Sequence, residues 1–477
     1  MQRFSFDGWI VVLLFFLSLI LPASHPAKAQ DASGLTIINR IILEGNHRTK
    51  PGIILRELGF RQGDAVRTSD LDLLLKTSRD NVFNTRLFNF VSFDTCFLDG
   101  HARMDLSIHV IERWYIWPVP FLEISDRNFN AWLATHDFSR LTYGVDLTFS
   151  NVRGRNETLK LLTHFGFNQL YGFGYKIPYI NRRQTLGLAF GAELALNHEV
   201  AIQTSGNQPV YYKDQSSLPK QQVSGYFEFV LRPSLYSFHT LRLTYNYYYF
   251  QDTLLRIPGF ALNASNSQKF VSFFYRFKND HRDVQYYPLK GYYFDVEFNH
   301  SIPFSITHNT YVKTNLRKFW QIYNRWYFAS GLTLKLSLEK EQPYFLQRGL
   351  GYGTEFARGY ENYVIDGQHF ALLKNNFKFA LLPLRVIRLS FLRSPKFNTV
   401  PIALYLNVFA DLAYVYHYNQ GQDNHFSGSG NTLQNALQLG YGTGLDFITY
   451  YDIVIRCEFA MNLFGKPGIY LHFVAPI

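Results

Sequence analysis

The sequence predicts a mainly β protein: a transmembrane antiparallel β-barrel of about sixteen strands, preceded by one small α+β domain. Three observations predict this fold class. Beyond residue 114, apolar and polar residues alternate with the period of two that marks half-buried strands. Many of these segments reach about ten residues, the length of a tilted membrane-crossing strand. Aromatic residues make up 18% of the chain and charged residues only 17%, which favours a barrel with aromatic girdles over a soluble domain.

Segment 1–29 reads as a secretory signal peptide. A single early arginine precedes an apolar run at 9–21, and an A-x-A motif at Ala27 and Ala29 supplies a cleavage site. A signal anchor is the alternative, but the apolar run is short for a membrane span and Pro22 follows it. No later apolar run reaches the roughly eighteen residues of a membrane helix, which excludes a helical membrane bundle. The mature chain is therefore expected to be exported.

Segment 35–113 mixes helical and strand periods, which predicts one small α+β domain. Pro51 suits the first turn of a helix, because the N–H that proline lacks would be unpaired there. Leu71, Leu74 and Leu75 have helical spacing and define the apolar face of a second helix. The predicted elements are, in order, a strand at 37–43, a helix from Thr49, a helix from Ser69, and strands at 88–97 and 103–111.

Segment 114–477 is expected to form the barrel. In one strand, Leu332 and Leu334 alternate with Thr333 and Lys335, so one face is apolar and the other can carry charge. A soluble sandwich would show the same alternation, and it is the strand length that favours a membrane barrel. Further strands with this pattern lie at 143–150, 241–249 and 294–299. Long connections are expected on the extracellular side near 126–140, 197–221, 252–267, 341–367 and 416–432.

The first and last strands are expected to pair, because closing the barrel removes both unpaired edges. The first strand is predicted at 115–125 and the last at 468–477. Pro118 and Pro120 remove two backbone donors from the first strand. The closing pair is therefore expected to be a weak seam.

A glycine-rich loop at 349–363 contains the most specific motif of the chain. Its glycines at 349, 351, 353 and 359 allow backbone angles closed to other residues, so the loop can adopt a tight and specific shape. Arg358, between an alanine and a glycine–tyrosine pair, suits a planar acceptor, because its donors match a carboxylate in bidentate geometry. An ordinary glycine-rich surface loop is the alternative.

A second motif lies between two predicted strands and resembles a known family. Asp280, Arg282 and Asp283, followed by Pro288 and Gly291, look like the D-x-R-D and P-x-x-G elements of a periplasmic turn. This turn is found in the BamA-type outer-membrane assembly and secretion barrels, the bacterial surface antigen superfamily.

The glycine-rich loop resembles the same family. Arg358, Gly359 and Tyr360 are similar to its V-R-G-[FY] element, and Phe409 and Asp411 to its F-x-D element, which in the family offers a carboxylate to the loop arginine. The N-terminal unit resembles a single POTRA domain of that family. Two departures are an alanine in place of valine before the arginine and a final isoleucine in place of phenylalanine. The resemblance covers nearly the whole mature chain.

Loop 341–367 is expected to fold into the barrel lumen. A barrel of about sixteen strands is too wide for its own side chains to fill, so it holds water or a plug. We predict that Arg358 and Asp411 form a direct ion pair inside the barrel, with Phe409 on the same face and against Tyr360. The alternative is that the aspartate only lines a wet pore.

The resemblance implies outer-membrane β-barrel assembly, as an insertase, or protein translocation across the outer membrane. The implied partners are unfolded or secreted client proteins at the POTRA domain and barrel seam, outer-membrane lipids, and accessory proteins of an assembly complex. The implied location is the outer membrane of a Gram-negative-type bacterium, with the POTRA domain in the periplasm. Two alternatives stay open: a dedicated secretion pore for one partner protein, and a structural accessory barrel in a larger outer-membrane complex.

Other function classes find little support in the sequence. The net charge is +11, but the basic residues are scattered, so no nucleic-acid partner is expected. Cys96 and Cys457 are the two cysteines and fall in different domains, so neither a structural disulfide nor a metal cluster is expected. The kinase-like tripeptide at 281–283 and the glycine-rich segment at 440–444 lack the context of nucleotide sites. Neither enzymatic activity nor a cofactor is expected.

Overall fold

The computed structural model describes residues 34–124, 140–261, 265–303, 308–418 and 430–473. These residues form an N-terminal α+β unit, a large antiparallel sheet and a small hairpin. Three predictions lie wholly or largely outside the described residues: the signal peptide with Ala27 and Ala29, the connections near 126–140 and 416–432, and the C-terminal end of the last strand.

The N-terminal unit contains all the elements that the sequence predicts for it. The described elements are β1 (Leu35–Glu44), α1 (Pro51–Leu55), β2 (Ala65–Arg67), α2 (Thr68–Asn84), β3 (Phe88–Leu98) and β4 (Arg103–Glu112). The strand order is β2-β1-β4-β3, and β1 and β4 are parallel. The sequence does not predict β2, because a strand of 3 residues is too short to show a period.

The core of this unit lies between its sheet and its helices. Ile38 of β1, Ile54 of α1 and Met104 of β4 are fully buried. Leu71 and Val82 of α2 join the same cluster, as the predicted apolar face of this helix requires. Burial of these side chains holds the helices on the sheet.

The large sheet contains sixteen described strands and is antiparallel throughout, so the predicted strand number is confirmed. The hairpin is formed by β10 (Glu199–Ser205) and β11 (Gln208–Lys213), outside the large sheet. The strands of the large sheet are β5 (Ile116–Ile124), β6 (Leu141–Val152), β7 (Glu157–Gly166), β8 (Gln169–Ile177), β9 (Leu186–Asn197), β12 (Lys220–Leu231), β13 (Ser237–Phe250), β14 (Ser267–Asp280), β15 (Gly291–Pro303), β16 (Asn309–Tyr323), β17 (Trp326–Ser337), β18 (His369–Arg388), β19 (Thr399–Tyr416), β20 (Leu437–Ile448), β21 (Val454–Asn462) and β22 (Pro467–His472).

The faces of this sheet are inverted relative to a soluble sheet. Asp411 of β19, Asp446 of β20 and Glu458 of β21 are fully buried on one face. Their apolar neighbours point the other way: Leu412 is 37% exposed and Phe447 is 38% exposed. Such alternation is typical of a barrel with a polar interior and an apolar outer surface. The buried polar face is called the inner face below.

The long connections leave the same end of the sheet, because successive strands alternate in direction. This end is called the loop end, and the opposite end, next to the N-terminal unit, the turn end. The connections at 198–219 and 251–266 contain regular structure that the sequence does not predict, namely the hairpin and α3 (Asp252–Leu255). Another short helix, α4 (Pro395–Asn398), lies at the turn end. None of the described helices is long and apolar enough to span a membrane.

The connections at the loop end pack on one another. Val200 of the hairpin, Leu254 of α3, Phe260 and Tyr344 belong to one buried apolar cluster. Tyr344 lies in the connection between β17 and β18, which contains the glycine-rich loop. The hairpin and α3 therefore help to position that loop.

The end strands β5 and β22 do not pair with each other among the described residues, so the expected closing pair is absent there. Ser150 N of β6 donates to Tyr115 O at 2.7 Å. Because alternate residues of a strand face opposite neighbours, Pro118 and Pro120 direct their nitrogens, which carry no hydrogen, to the unpaired edge of β5. A closing ladder would therefore lack two donors from β5, and β22 offers it 6 residues in the described part of the chain. The gap between β5 and β22 is called the seam.

Candidate functional site

Arg358 lies at the centre of the candidate site, against the inner face of the sheet. Its Nε and Nη2 donate to Oδ2 and Oδ1 of Asp411 at 2.8 and 2.5 Å. Its backbone N–H donates to the same Oδ2 at 3.0 Å. Both side chains are fully buried. The loop is thereby held to β19 by charge-assisted hydrogen bonds to one carboxylate.

Three further side chains surround this guanidinium. Its Nη1 donates to Asn376 Oδ1 at 2.6 Å and to Glu458 Oε1 at 3.3 Å. The Phe409 ring lies beneath it, with the guanidinium carbon 3.9 Å from the ring centroid. Cation–π contact and hydrogen bonds together replace the water that the buried cation has lost.

Two glycines allow the loop backbone to touch the sheet. A Cβ at Gly440 of β20 would lie 1.7 Å from the carbonyl oxygen of Arg358, so no side chain fits there. Gly359 has a φ of +88°, and its carbonyl accepts a hydrogen bond from Asn462 Nδ2 at 2.8 Å. The glycines at 440–444 thus provide close approach on a strand, as the alternating pattern around them indicates.

Tyr360 connects the loop to the strands nearest the seam. Its hydroxyl donates to the Leu439 carbonyl at 3.3 Å and accepts from the Leu463 N–H at 3.2 Å. Its ring centroid lies 6.1 Å from that of Tyr363 and 6.3 Å from that of Phe464. These contacts extend the attachment of the loop to β20 and to the residue after β21.

The structure brings together the residues predicted for this contact: Arg358, Gly359, Tyr360, Phe409 and Asp411, called the loop contact below. Phe409 packs under the Arg358 guanidinium, and its expected contact with Tyr360 stays a prediction. The role of these residues as a latch that holds or releases the loop stays a prediction.

A second buried ion pair lies on the inner face, closer to the turn end. The sequence does not predict this pair. Arg456 of β21 donates to both oxygens of Asp446 of β20, at 2.5 and 2.7 Å. The Tyr287 hydroxyl donates to the same carboxylate at 2.7 Å. Glu458 Oε1 lies 3.3 Å from Arg358 and 3.7 Å from Arg456, so it joins the two pairs. Charged residues at inner positions of an alternating strand are the sequence signal for such pairs.

The predicted turn motif forms the connection between β14 and β15. Arg282 donates from Nε and Nη2 to the two oxygens of Asp280, each at 2.8 Å. The Asp283 carboxylate accepts two backbone N–H groups of the turn at 2.8 and 3.1 Å, and burial raises its pKa. Pro288 is buried, and Gly291 has a φ of +98° with no room for a Cβ. All five predicted residues therefore lie in one compact turn.

The N-terminal unit docks on this turn and on the turn between β20 and β21. Asn84, at the end of α2, donates from Nδ2 to the Asp283 carbonyl at 2.9 Å and accepts the Gln285 N–H at 3.1 Å. Arg113, after β4, makes a bidentate contact with Asp452 at 2.7 and 2.8 Å. The turn motif is thus part of the surface on which the N-terminal unit sits.

A buried tyrosine–aspartate contact holds the glycine-rich loop to the hairpin. The Tyr352 hydroxyl donates to Asp366 Oδ1 in a short hydrogen bond and lies 3.3 Å from the Thr204 hydroxyl of β10. The other oxygen of Asp366 is buried and has no hydrogen-bond partner among the described residues. Burial therefore raises the pKa of Asp366. Val364 N donates to the Asn207 carbonyl at 3.0 Å and completes this attachment.

A cavity of about 580 Å³ lies at the turn end of the seam. Trp117 of β5 and Phe473, the residue after β22, both line it. Arg86, Arg113 and Arg317 contribute cationic side chains to the same wall. A residue of β5 and the residue that follows β22 therefore border one cavity.

Comparisons with known proteins match both parts of the chain. Residues 36–113 match the POTRA family, described as the surface antigen variable number repeat. No relative among curated proteins matches the sequence. BamA from Haemophilus ducreyi, solved without POTRA domains 1–3, is 15% identical, with 91% of this chain and 83% of that chain covered and a TM-score of 0.50. CdiB from Escherichia coli is 13% identical, with 91% of this chain and 75% of that chain covered and a TM-score of 0.53.

At these identities the two solved structures inform the fold rather than the activity. Each covers most of the large sheet as well as the N-terminal unit, since 91% of this chain is matched. The family match at 36–113 identifies the N-terminal unit independently. The chain is therefore a POTRA-containing protein with the BamA-type barrel fold.

Proposed function

We propose that this chain assembles proteins in an outer membrane by admitting unfolded client strands at the seam. The observation that carries the proposal is the outer edge of β5, with which none of the described strands pairs. Backbone N–H and C=O groups along such an edge are a template for another strand. A client strand would add to β5 through main-chain hydrogen bonds, which do not depend on the client's side chains.

The two prolines of β5 keep its edge from being permanently covered. Pro118 and Pro120 lack two of the hydrogens that any strand on this edge would need, whether that strand is β22 or a client. Each backbone hydrogen bond that is not formed removes about 0.5–1.5 kcal/mol from the closing pair. Because β22 has only 6 residues in the described part of the chain, a longer client strand would form more backbone hydrogen bonds to β5 than β22 does and would exchange with it.

The POTRA domain offers a second unpaired edge for client proteins. β3 is an outer strand of its sheet, and residues 94–97 of β3 are exposed. The first part of the same strand lies against the barrel, where Asn89 Nδ2 donates to the Lys396 carbonyl at 2.8 Å. An unfolded chain would bind the exposed half by strand addition and would then lie close to the turn end.

The proposed location is the outer membrane of a Gram-negative-type bacterium, with the POTRA domain in the periplasm. The apolar outer surface supports contact with outer-membrane lipids. The POTRA domain docks at the turn end, and short turns face the periplasm in bacterial barrels. The long connections would then lie on the extracellular side.

Quantitative outer-membrane proteomics after depletion of this protein tests the proposal. We expect many outer-membrane barrel proteins to decrease together, because one seam would serve many clients. A plasmid copy of the wild-type gene should restore them, which controls for secondary effects of depletion. Unchanged amounts and surface display of other outer-membrane proteins would contradict the proposal.

A dedicated secretion pore is the second candidate function. The loop contact holds part of loop 341–367 against the inner face, where a plug of a transport pore would lie. In that case, deletion of 341–367 should raise single-channel conductance, and a knockout should lose one secreted protein. An accessory barrel without activity of its own would instead co-purify with stoichiometric partners and leave both measurements unchanged.

A further inference from the structure

Three side chains with metal-ligating groups meet where the loop reaches the last two strands. Glu361 follows the loop contact, Glu458 lies on β21 and His472 is the last residue of β22. One ligand atom from each residue lies within 4.8 Å of the other two. His472 pairs with Arg456 in the ladder, which places its side chain on the inner face with Glu458.

The atoms that face one another in this cluster make no hydrogen bonds. Within the described part of the chain, Glu361 Oε1, Glu458 Oε2 and His472 Nε2 are buried and have no hydrogen-bond partner. The Glu458 side chain is 0% exposed, and those of Glu361 and His472 are 11% and 19% exposed. Buried polar atoms are nearly always paired. Three converging buried atoms without a hydrogen bond therefore point to a ligand between them.

The spacing of these atoms fits a metal ion. His472 Nε2 lies 3.7 Å from Glu361 Oε1 and 3.5 Å from Glu458 Oε2, too far for hydrogen bonds. Ligands about 2.1 Å from a tetrahedral zinc ion are about 3.4 Å from one another. The three atoms can thus surround one ion, with water as a fourth ligand.

Two nearby arginines do not fill the space between the three ligand atoms. Arg358 and Arg456 contact Oε1, the other oxygen of Glu458, and each has its own buried aspartate partner. One imidazole nitrogen and two carboxylate oxygens form a donor set that zinc and related first-row ions accept.

We propose that Glu361, Glu458 and His472 bind one divalent transition-metal ion, for which Zn²⁺ is the probe, and that this ion ties the loop to β21 and β22. The other oxygen of Glu361 accepts the Gly359 N–H at 2.8 Å, so this ligand is oriented by the loop contact. β22 borders the seam. Metal binding therefore couples the position of the loop to the edge strand, whichever clients the barrel serves.

The test is Zn²⁺ binding by the full chain, purified in detergent without an affinity tag and stripped of metal by a chelator. Calorimetry should show one Zn²⁺ per chain. Glu361→Gln and His472→Gln should each weaken binding about tenfold or more, because each removes a ligand. Both variants keep a side chain of about the original size, and glutamine at position 361 can still accept the Gly359 N–H. The heat-dependent electrophoretic mobility of the barrel verifies that each variant is folded.

Glu355→Gln and His239→Gln are the matched controls. Glu355 lies in the same loop and pairs with Lys313, whereas the His239 ring contacts the Tyr275 hydroxyl on β14. Both controls should bind Zn²⁺ as the wild type does. Co²⁺ in place of Zn²⁺ should give a tetrahedral visible spectrum that the two ligand variants lose. A chain that binds no stoichiometric Zn²⁺, or binding that survives both ligand variants, would overturn the proposal.

Discussion

Arg358 and Asp411 are buried together, and their burial determines how much their ion pair contributes to stability. Taking both charges out of water opposes folding by about as much as their attraction and hydrogen bonds favour it. Removal of one partner leaves a buried unpaired charge, which is a far larger loss. We infer that the pair specifies where the loop lies more than it raises the stability of the barrel.

Arg358→Ala is expected to release the loop from the inner face. The buried Asp411 carboxylate would lose its partner, which lowers the stability of the docked loop by about 3–5 kcal/mol. Proteolytic cleavage within 341–367 should accelerate, and single-channel conductance should rise. Adding Asp411→Asn should recover part of the loss, because it removes the unpaired charge.

Glu355→Gln is the matched control for this prediction. Its ion pair with Lys313 is partly exposed, with side chains 36% and 21% exposed. Such pairs contribute about 0–1 kcal/mol, so cleavage of the loop should not change. A loop that stays protected in Arg358→Ala would show that the buried pair does not hold it.

The buried carboxyl group of Asp366 predicts that the stability of the docked loop depends on pH. Burial raises its pKa above the ordinary value of 3.8, so the docked loop holds this proton more tightly than the released loop. The proton on Asp366 therefore stabilises the docked loop. This stabilisation is complete below pH 3.8 and is lost as the pH rises through the raised pKa of Asp366. Asp366→Asn, which resembles the neutral acid, should remove this dependence and protect the loop at neutral pH. Proteolysis at a series of pH values checks this, and an unchanged pH response in the variant would contradict it.

Strand β20 lies close to both the loop and β21 because glycines occupy the positions of contact. A Cβ at Gly440 would overlap the Arg358 carbonyl, and one at Gly442 would lie 2.1 Å from the Phe459 carbonyl. The strand can therefore touch both the loop and β21 only because these positions lack side chains.

Gly440→Ala is expected to displace the loop without unfolding the barrel. The new methyl group would lie 1.7 Å from a backbone oxygen of the loop, which must move away. Gly353→Ala is the control in the loop itself, because a Cβ there meets no described atom within 4 Å. Cleavage within 341–367 should accelerate in the first variant only. Equal cleavage in both variants would count against a close contact at this glycine.

The sequence predicts the elements well where the alternation is long. The run from Leu332 to Lys335 lies within β17, and the helical spacing around Leu71 lies within α2. β2 and the hairpin are not predicted, because short strands resemble loops. The metal-ligating cluster is not predicted either, since Glu361, Glu458 and His472 are distant in the chain. Their meeting depends on strand register and on where the loop docks, which local patterns do not contain.

Besides the contacts of Asn84 and Asn89, two ion pairs attach the POTRA domain to the barrel at separate points. Arg113 binds Asp452 near the seam, and Glu57 binds Arg232 in the turn between β12 and β13, with both contacts bidentate. Attachment at two points restrains rotation of the domain about either one. The exposed edge of β3 is thereby held in a defined position relative to the turn end.

Arg113→Ala combined with Arg232→Ala should loosen the POTRA domain, because only its neutral hydrogen bonds to the barrel, such as those of Asn84 and Asn89, would remain. Cys96 on β3 is free and exposed, so a spin label there reports on the domain once Cys457 is replaced by serine. A second label at Lys290, exposed in the turn between β14 and β15, reports on the barrel. The distance distribution should broaden in the double variant. A distribution as narrow as that of the parent would mean that other contacts hold the domain.

Site-specific photocrosslinking can show whether client strands pair with the outer edge of β5, as we propose. A photoreactive amino acid at Leu122 of β5 should capture an outer-membrane client during assembly. The same group at Leu243 of β13 should not, because β13 is paired on both sides. The two positions are comparably exposed, at 69% and 50%. Capture at Leu122 alone is the predicted result, and equal capture at both positions or none at Leu122 would contradict the claim.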